Sequence, residues 1–121
     1  MGRLVPDGGR DRGWTVSTAD ILDAAADIVE HNGWNQGDYY RPEGGKQPQD
    51  CPVDTTGALN LALGADTPSH DIQPDSPAEV ALMKYLGIEY VPGWNDAPDR
   101  TAEQVIAALR SAAAAERERG A

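Results

Sequence analysis

The chain has 121 residues, which suits one domain around one hydrophobic core. Its hydrophobic fraction is 40%, but Phe is absent and Ala supplies much of that share, so burial must come from Leu, Ile, Val and a few Trp and Tyr side chains. Twenty acidic against ten basic residues give a formal charge of −10, and no segment concentrates Lys or Arg. Direct DNA or RNA binding and attachment to anionic membranes are therefore excluded as expectations, while a cationic partner is not.

Thirteen Gly and nine Pro imply long irregular connections. Cys51 is the single cysteine, so no internal disulfide forms, which suits a reducing cytoplasm. No apolar stretch is long enough for a signal peptide or a membrane span, and Pro6 occupies the place where a myristoylation signal after Gly2 needs Ser or Thr. The expected location is cytoplasmic.

Residues 1–13 carry one Leu and one Val among Gly, Arg and Asp, and read as a flexible lead. A first helix begins after Ser17, with Ser17 and Asp20 as a capping-box-like pair and Val16 placed to staple onto Ile21. Ile21, Leu22, Ala25, Ile28 and Val29 recur at helical spacing and form its apolar stripe, and Asn32-Gly33 ends it. Residues 37–53, with Pro42, Gly44-Gly45, Pro48 and Pro52, read as a long loop. A short helix over 54–63, capped by Asp54 or Thr55, is apolar on most sides and reads as a buried central element.

Ser76-Pro77 with Glu79 is the clearest helix start in the chain. Ala78, Ala81, Leu82, Tyr85 and Leu86 make that helix's inner face, and Gly87 stops it. Ile88-Glu89-Tyr90-Val91 reads as a short extended piece, cut off by Pro92-Gly93. Thr101 with Gln104 opens the last helix, whose stripe is Ala102, Val105, Ile106, Leu109, Ala112 and Ala113. The expected organisation is a lead over 1–13, a helical domain over 14–113 and a fraying tail over 114–121. The fold class is all-α, a small single domain of about four helices joined by Pro- and Gly-rich loops.

Two Gly-Trp-Asn triplets, Gly33-Trp34-Asn35 and Gly93-Trp94-Asn95, flank the middle of the chain. Each sets an indole beside a hinge residue, which predicts that both rings pin loops onto a common interior. Trp34 and Trp94, with Gln36, Asn95 and Asp96, could also wall a pocket, and Cys51 could stand beside them. Tyr39 and Tyr40 in the long loop are residue types enriched at interfaces.

Asp20, Asp23, Asp27 and Glu30 fall at i, i+3, i+7 and i+10 and share one helix face. They read either as a docking stripe for a basic partner or as a solvated face. Cys51, His31 and His70 do not make a nucleophilic signature, and one Cys with two His does not complete a zinc site. No catalytic, cofactor-binding or metal-ligating residue is assigned, and no cofactor is expected.

Gly33-Trp34 with Gln36-Gly37, then Cys51, Gly57-Ala58-Leu59, Trp94-Asn95-Asp96 and Arg100-Thr101-Ala102-Glu103-Gln104-Val105-Ile106 form an ordered set of motifs. In these motifs the chain resembles a family of small proteins of unknown function from actinobacteria and their phages, over roughly residues 18–113. It departs from that pattern in a longer Cys51–Gly57 interval and in Asn35, a position often taken by Cys. The resemblance implies a fold and a host range, and no activity.

The resulting expectation is a non-enzymatic interaction protein, an accessory product of a phage or mobile element. It would engage a partner with a basic surface through its acidic face or its Tyr39-Tyr40 loop. The alternative is a small-molecule binder or minor enzyme with a site between Trp34, Cys51 and Trp94. A further alternative is a nucleic-acid mimic whose carboxylates inhibit a DNA-binding protein.

Overall fold

A computed structural model describes residues 16–71, 73 and 75–120. The lead over 1–13 lies outside the described residues. The described chain is all-α, with helices α1 (Thr18–Asn32), α2 (Thr55–Ala62), α3 (Pro77–Leu86), α4 (Val91–Asn95) and α5 (Ala102–Glu118). A 3-10 turn at Pro48–Asp50 interrupts the long loop. No strand occurs among the described residues, although Val53 makes single β-bridges to Trp34 and Tyr40. Those bridges tie the long loop to the core with Asn35 N donating to Val53 O and Val53 N donating to Gly33 O.

The helix starts follow the capping chemistry of the sequence. Asp20 N donates to Ser17 Oγ, Gly57 N to Asp54 Oδ1 and Glu79 N to Ser76 Oγ, and Thr101 forms a reciprocal capping box with Gln104. Asp54, and not Thr55, is the cap of α2. Gly33 ends α1 at φ 101° and ψ 171°, a conformation essentially restricted to glycine, and so turns Trp34 back toward the core.

α1 is the hub, packing on α5, α2 and α3, while α3 also packs on α5 and α2 on α4. The interior is built from Leu22, Val29, Val53, Leu59, Leu82, Val91, Val105 and Leu109, closed by alanines of α1 and α5. Small side chains let the two longest helices approach closely, which offsets the shortage of large apolar groups. Trp34 and Trp94 are both half-buried and packed against this cluster.

Four expectations are corrected. Val16 is 63% exposed, so the hydrophobic staple is not closed. Tyr85 is exposed because the packed face of α3 ends with Leu82 and the half-buried Leu86. Val91 begins a helical turn, α4, with Pro92 at a position that needs no N–H donor, so the extended piece stops at Tyr90. The stretch 114–118 continues α5 and does not fray, since Glu116 is 9% exposed and Arg117 bridges back to α1.

Those bridges also redefine the acidic stripe. Arg110 of α5 reaches Asp23, Asp27 and Glu30 at 3.4, 2.6 and 2.7 Å, and Arg117 reaches Asp20 and Asp23 at 3.1 and 2.7 Å. The order of these contacts makes α1 and α5 antiparallel. The stripe is therefore engaged by two arginines that lie about ninety residues away in sequence. Both guanidinium groups are held charged by these hydrogen bonds, whose first contributors are Asp27 for Arg110 and Asp23 for Arg117.

Candidate functional site

Two constellations lie on the side of α2 and α4. The first gathers most of the residues around the Gly-Trp-Asn triplets. Asn95 is fully buried at the end of α4. Its Oδ1 accepts from Trp34 Nε1 at 2.8 Å, Thr55 N at 3.0 Å and Thr55 Oγ1 at 2.7 Å. Indole and backbone N–H groups can only donate, which fixes the amide with its oxygen toward them. Asn95 Nδ2 in turn donates to Asn35 O at 3.1 Å and Asp96 Oδ1 at 2.9 Å.

Around this hub, Gln36 Nε2 donates to Asn95 O and Ala97 O, and Gly37 N donates to Asp96 Oδ1. Arg100 Nε donates to Trp94 O, and its guanidinium lies 4.1 Å from the Trp94 ring centre. Trp34, Gln36, Trp94, Asn95 and Asp96 are thus brought together, but as a lattice in which Trp34 Nε1, Gln36 Nε2, both Asn95 amide atoms and Asp96 Oδ1 are already bonded. Such a network fixes loop geometry and offers a ligand few free groups.

Cys51 does not join it. The thiol is buried and donates to Gln47 O at 3.4 Å, while His31 and His70 are both exposed. Tyr40 bridges to Val53 and packs on the core. Tyr39 lies elsewhere, at the edge of the second constellation.

The second constellation is a cleft of about 330 Å³ between α2, α3 and the approach to α4. Its α2 wall is Thr56, Leu59, Asn60 and Leu63, and its α3 wall includes Glu79 and Met83. Glu89, Tyr90 and Pro92 close one end, and Tyr39, Asp71 and Asp75 the other. Four carboxylates line it, and among the described residues no Lys, Arg or His does. Asp71 Oδ1 accepts from Asn60 Nδ2 at 2.8 Å and Glu79 Oε1 from Asp75 N at 3.1 Å, so two of the four are oriented. The Thr56 hydroxyl is buried in the α2 wall and has no hydrogen-bond partner among the described residues.

The electrostatics follow from this excess of one sign. The Tyr39 hydroxyl is held above its ordinary value, first by the Asp71 carboxylate and then by burial. Burial raises the Glu79 carboxyl, with the Asp75 N–H working against it. Behind Tyr39, Asp54 is 5% exposed, and burial pushes its carboxyl up to about 7 despite the Gly57 N–H it accepts at 2.6 Å. Asp96, Asp38 and Asp71 add to that rise. Gly57 is required beside it, because a Cβ there would meet Tyr39 O at 2.5 Å.

Sequence reasoning did not single out Asp54, Thr55, Thr56, Asn60, Asp71, Glu79, Glu89 or Tyr90 as site residues. The carboxylates read individually as caps and turn formers, and only the fold converges them on one cleft. Among the described residues no group of three or more His, Cys, Asp or Glu side chains is placed to hold a metal ion. No helix there is long and apolar enough to cross a membrane.

The described residues form a small all-α domain with a polar hub centred on the buried Asn95 and an open acidic cleft. The chain belongs to the Family of unknown function (DUF6197), whose model matches residues 15–115. No curated protein and no solved structure matches it.

Proposed function

We propose that the protein works by binding another protein through a basic segment of that partner, and not by catalysis. The observation that supports this is the acidic cleft, where Asp71, Asp75, Glu79 and Glu89 face a common space with no cation lining it among the described residues. By contrast the α1 stripe already has Arg110 and Arg117, which favours the cleft over it as the main docking face. Tyr39 at the cleft edge keeps the long loop in the binding surface, whereas the Trp34, Gln36, Asn95 and Asp96 cluster serves as its rigid support. A cytoplasmic accessory role in an actinobacterium or one of its phages completes this reading, on the strength of the motif resemblance.

A calorimetric titration with a short Arg- and Lys-containing peptide tests it. Neutralising the cleft (Asp71→Asn, Glu79→Gln and Glu89→Gln together) should abolish binding. Neutralising the stripe (Asp27→Asn with Glu30→Gln) should leave it intact. Raising salt from about 50 to about 300 mM should weaken the wild-type interaction, because exposed charges are screened beyond about 10 Å at 0.1 M. Equal binding by the two variants would reduce the effect to net charge and overturn the reading.

A further inference from the structure

Resting on that reading, the geometry points to a specific occupant of the cleft: we propose that it takes the guanidinium end of an arginine side chain presented by the partner. Three features select this chemistry. First, the carboxylates come from separate places, Asp71 from the loop before α3, Glu79 from α3 and Glu89 from the segment before α4. A planar fork with five N–H donors addresses several such acceptors at once, whereas an ammonium is a compact, strongly hydrated point charge.

Second, the cleft is not uniformly polar. Leu59, Leu63 and Met83 give it an apolar floor for an aliphatic stem, and Tyr90, 68% exposed, offers a ring face at the rim. Third, the buried Thr56 hydroxyl, which can both donate and accept, has no hydrogen-bond partner among the described residues, an exception that native structures rarely leave standing. A donor-rich group seated against the α2 wall gives it a partner once the Thr56 side chain turns its hydroxyl toward the cleft. The raised Tyr39 hydroxyl and Glu79 carboxyl agree with this, since both reflect a site short of positive charge or water.

The experiment uses the full chain, labelled with nitrogen-15, and three probes of nearly equal shape: N-acetyl-arginine amide, N-acetyl-lysine amide and N-acetyl-citrulline amide, which replaces the guanidinium by an uncharged urea. Backbone amide shifts are followed to saturation. The expected result is arginine binding with shifts clustered at Thr56, Glu79 and Tyr90, weaker lysine binding and no citrulline binding. Glu79→Gln should weaken arginine binding about fivefold, the loss of one partly exposed charge pair. Tyr90→Ala, at an exposed position, should weaken it with an unchanged melting temperature.

Equal response to lysine or citrulline overturns the proposal, as do shifts confined to the α1–α5 face. If the basic peptide binds the cleft while arginine amide leaves it undisturbed at saturating concentration, this inference falls and the broader binding role stands. If neither binds, both fall.

Discussion

Asp54 gives the sharpest test of the energetics. Its carboxyl is almost wholly buried at the start of α2, and among the described residues it has a single N–H donor and only acidic groups for charged neighbours. Two effects favour its anion, the helix dipole and the short bond from Gly57 N, and together they contribute about 1–3 kcal/mol. Burial outweighs them, because the carboxyl titrates near about 7 in the folded state against 3.8 as a free side chain. A folded-state value raised in this way means that the folded protein binds more protons than the unfolded chain between those two limits. Stability from this group is therefore greatest below about 4 and is lost as pH rises toward about 7. The interval, at about 1.4 kcal/mol per pH unit, corresponds to about 4 kcal/mol, and structural relaxation reduces that to about 2–4 kcal/mol.

Asp54→Asn keeps the cap, since Asn is an equally good acceptor for the Gly57 N–H, and removes the charge. Wild type and variant should unfold at similar temperatures at pH 4. At pH 8 the variant should be the more stable by about 2–4 kcal/mol, or about 8–16 °C at about 4 °C per kcal/mol for a chain of this size. Thermal unfolding followed by circular dichroism at both pH values measures the difference, and titrating groups that do not couple to Asp54 cancel in it. A gap that is the same at pH 4 and pH 8 would refute the argument that burial dominates.

Three other outcomes follow from the same contacts. Asn95→Ala strips Trp34 Nε1, Thr55 N and Thr55 Oγ1 of their shared acceptor, and should cost about 3–5 kcal/mol in urea unfolding with a red-shifted Trp emission. Gly57→Ala forces a methyl against Tyr39 O, so it should destabilise by about 1–3 kcal/mol or more and shift the amide signals of residues 39–41. Arg110→Ala removes three ion pairs among half-exposed side chains and should cost no more than about 1 kcal/mol at low salt, with the loss shrinking at about 0.5 M salt. A large, salt-independent loss at Arg110 would mean that its aliphatic stem, and not its charge, holds α1 to α5.

Much of the fold was legible because its signals are local. Ser17, Ser76-Pro77 and Thr101 with Gln104 start helices through bonds that span three residues, and Gly33 and Gly87 end them through backbone freedom. The periodic apolar positions of α1 and α5 likewise carry their own burial pattern. The prominence of the two Gly-Trp-Asn triplets was also legible, but not their connection. Trp34 meets Asn95, 61 residues away, through a hydrogen bond that no spacing rule encodes.

The remainder depended on distance in the chain being erased by packing. Asp20, Asp23, Asp27 and Glu30 form an unpartnered stripe on an isolated helix, and only the antiparallel docking of α5 supplies Arg110 and Arg117. The same docking keeps 114–118 helical, which local propensity alone did not require. The cleft is the extreme case. Asp71, Glu79 and Glu89 carry ordinary turn and helix signals one by one, and they become a shared acidic site only where α2, α3 and α4 converge. Sequence alone determined the class, the starts of α1, α3 and α5 and the sign of the charge, because those depend on neighbours within about a helical turn. Tertiary structure decided which charges are matched and which stay open, because electrostatic pairing depends on separation in space and on burial, and neither is written in the order of residues.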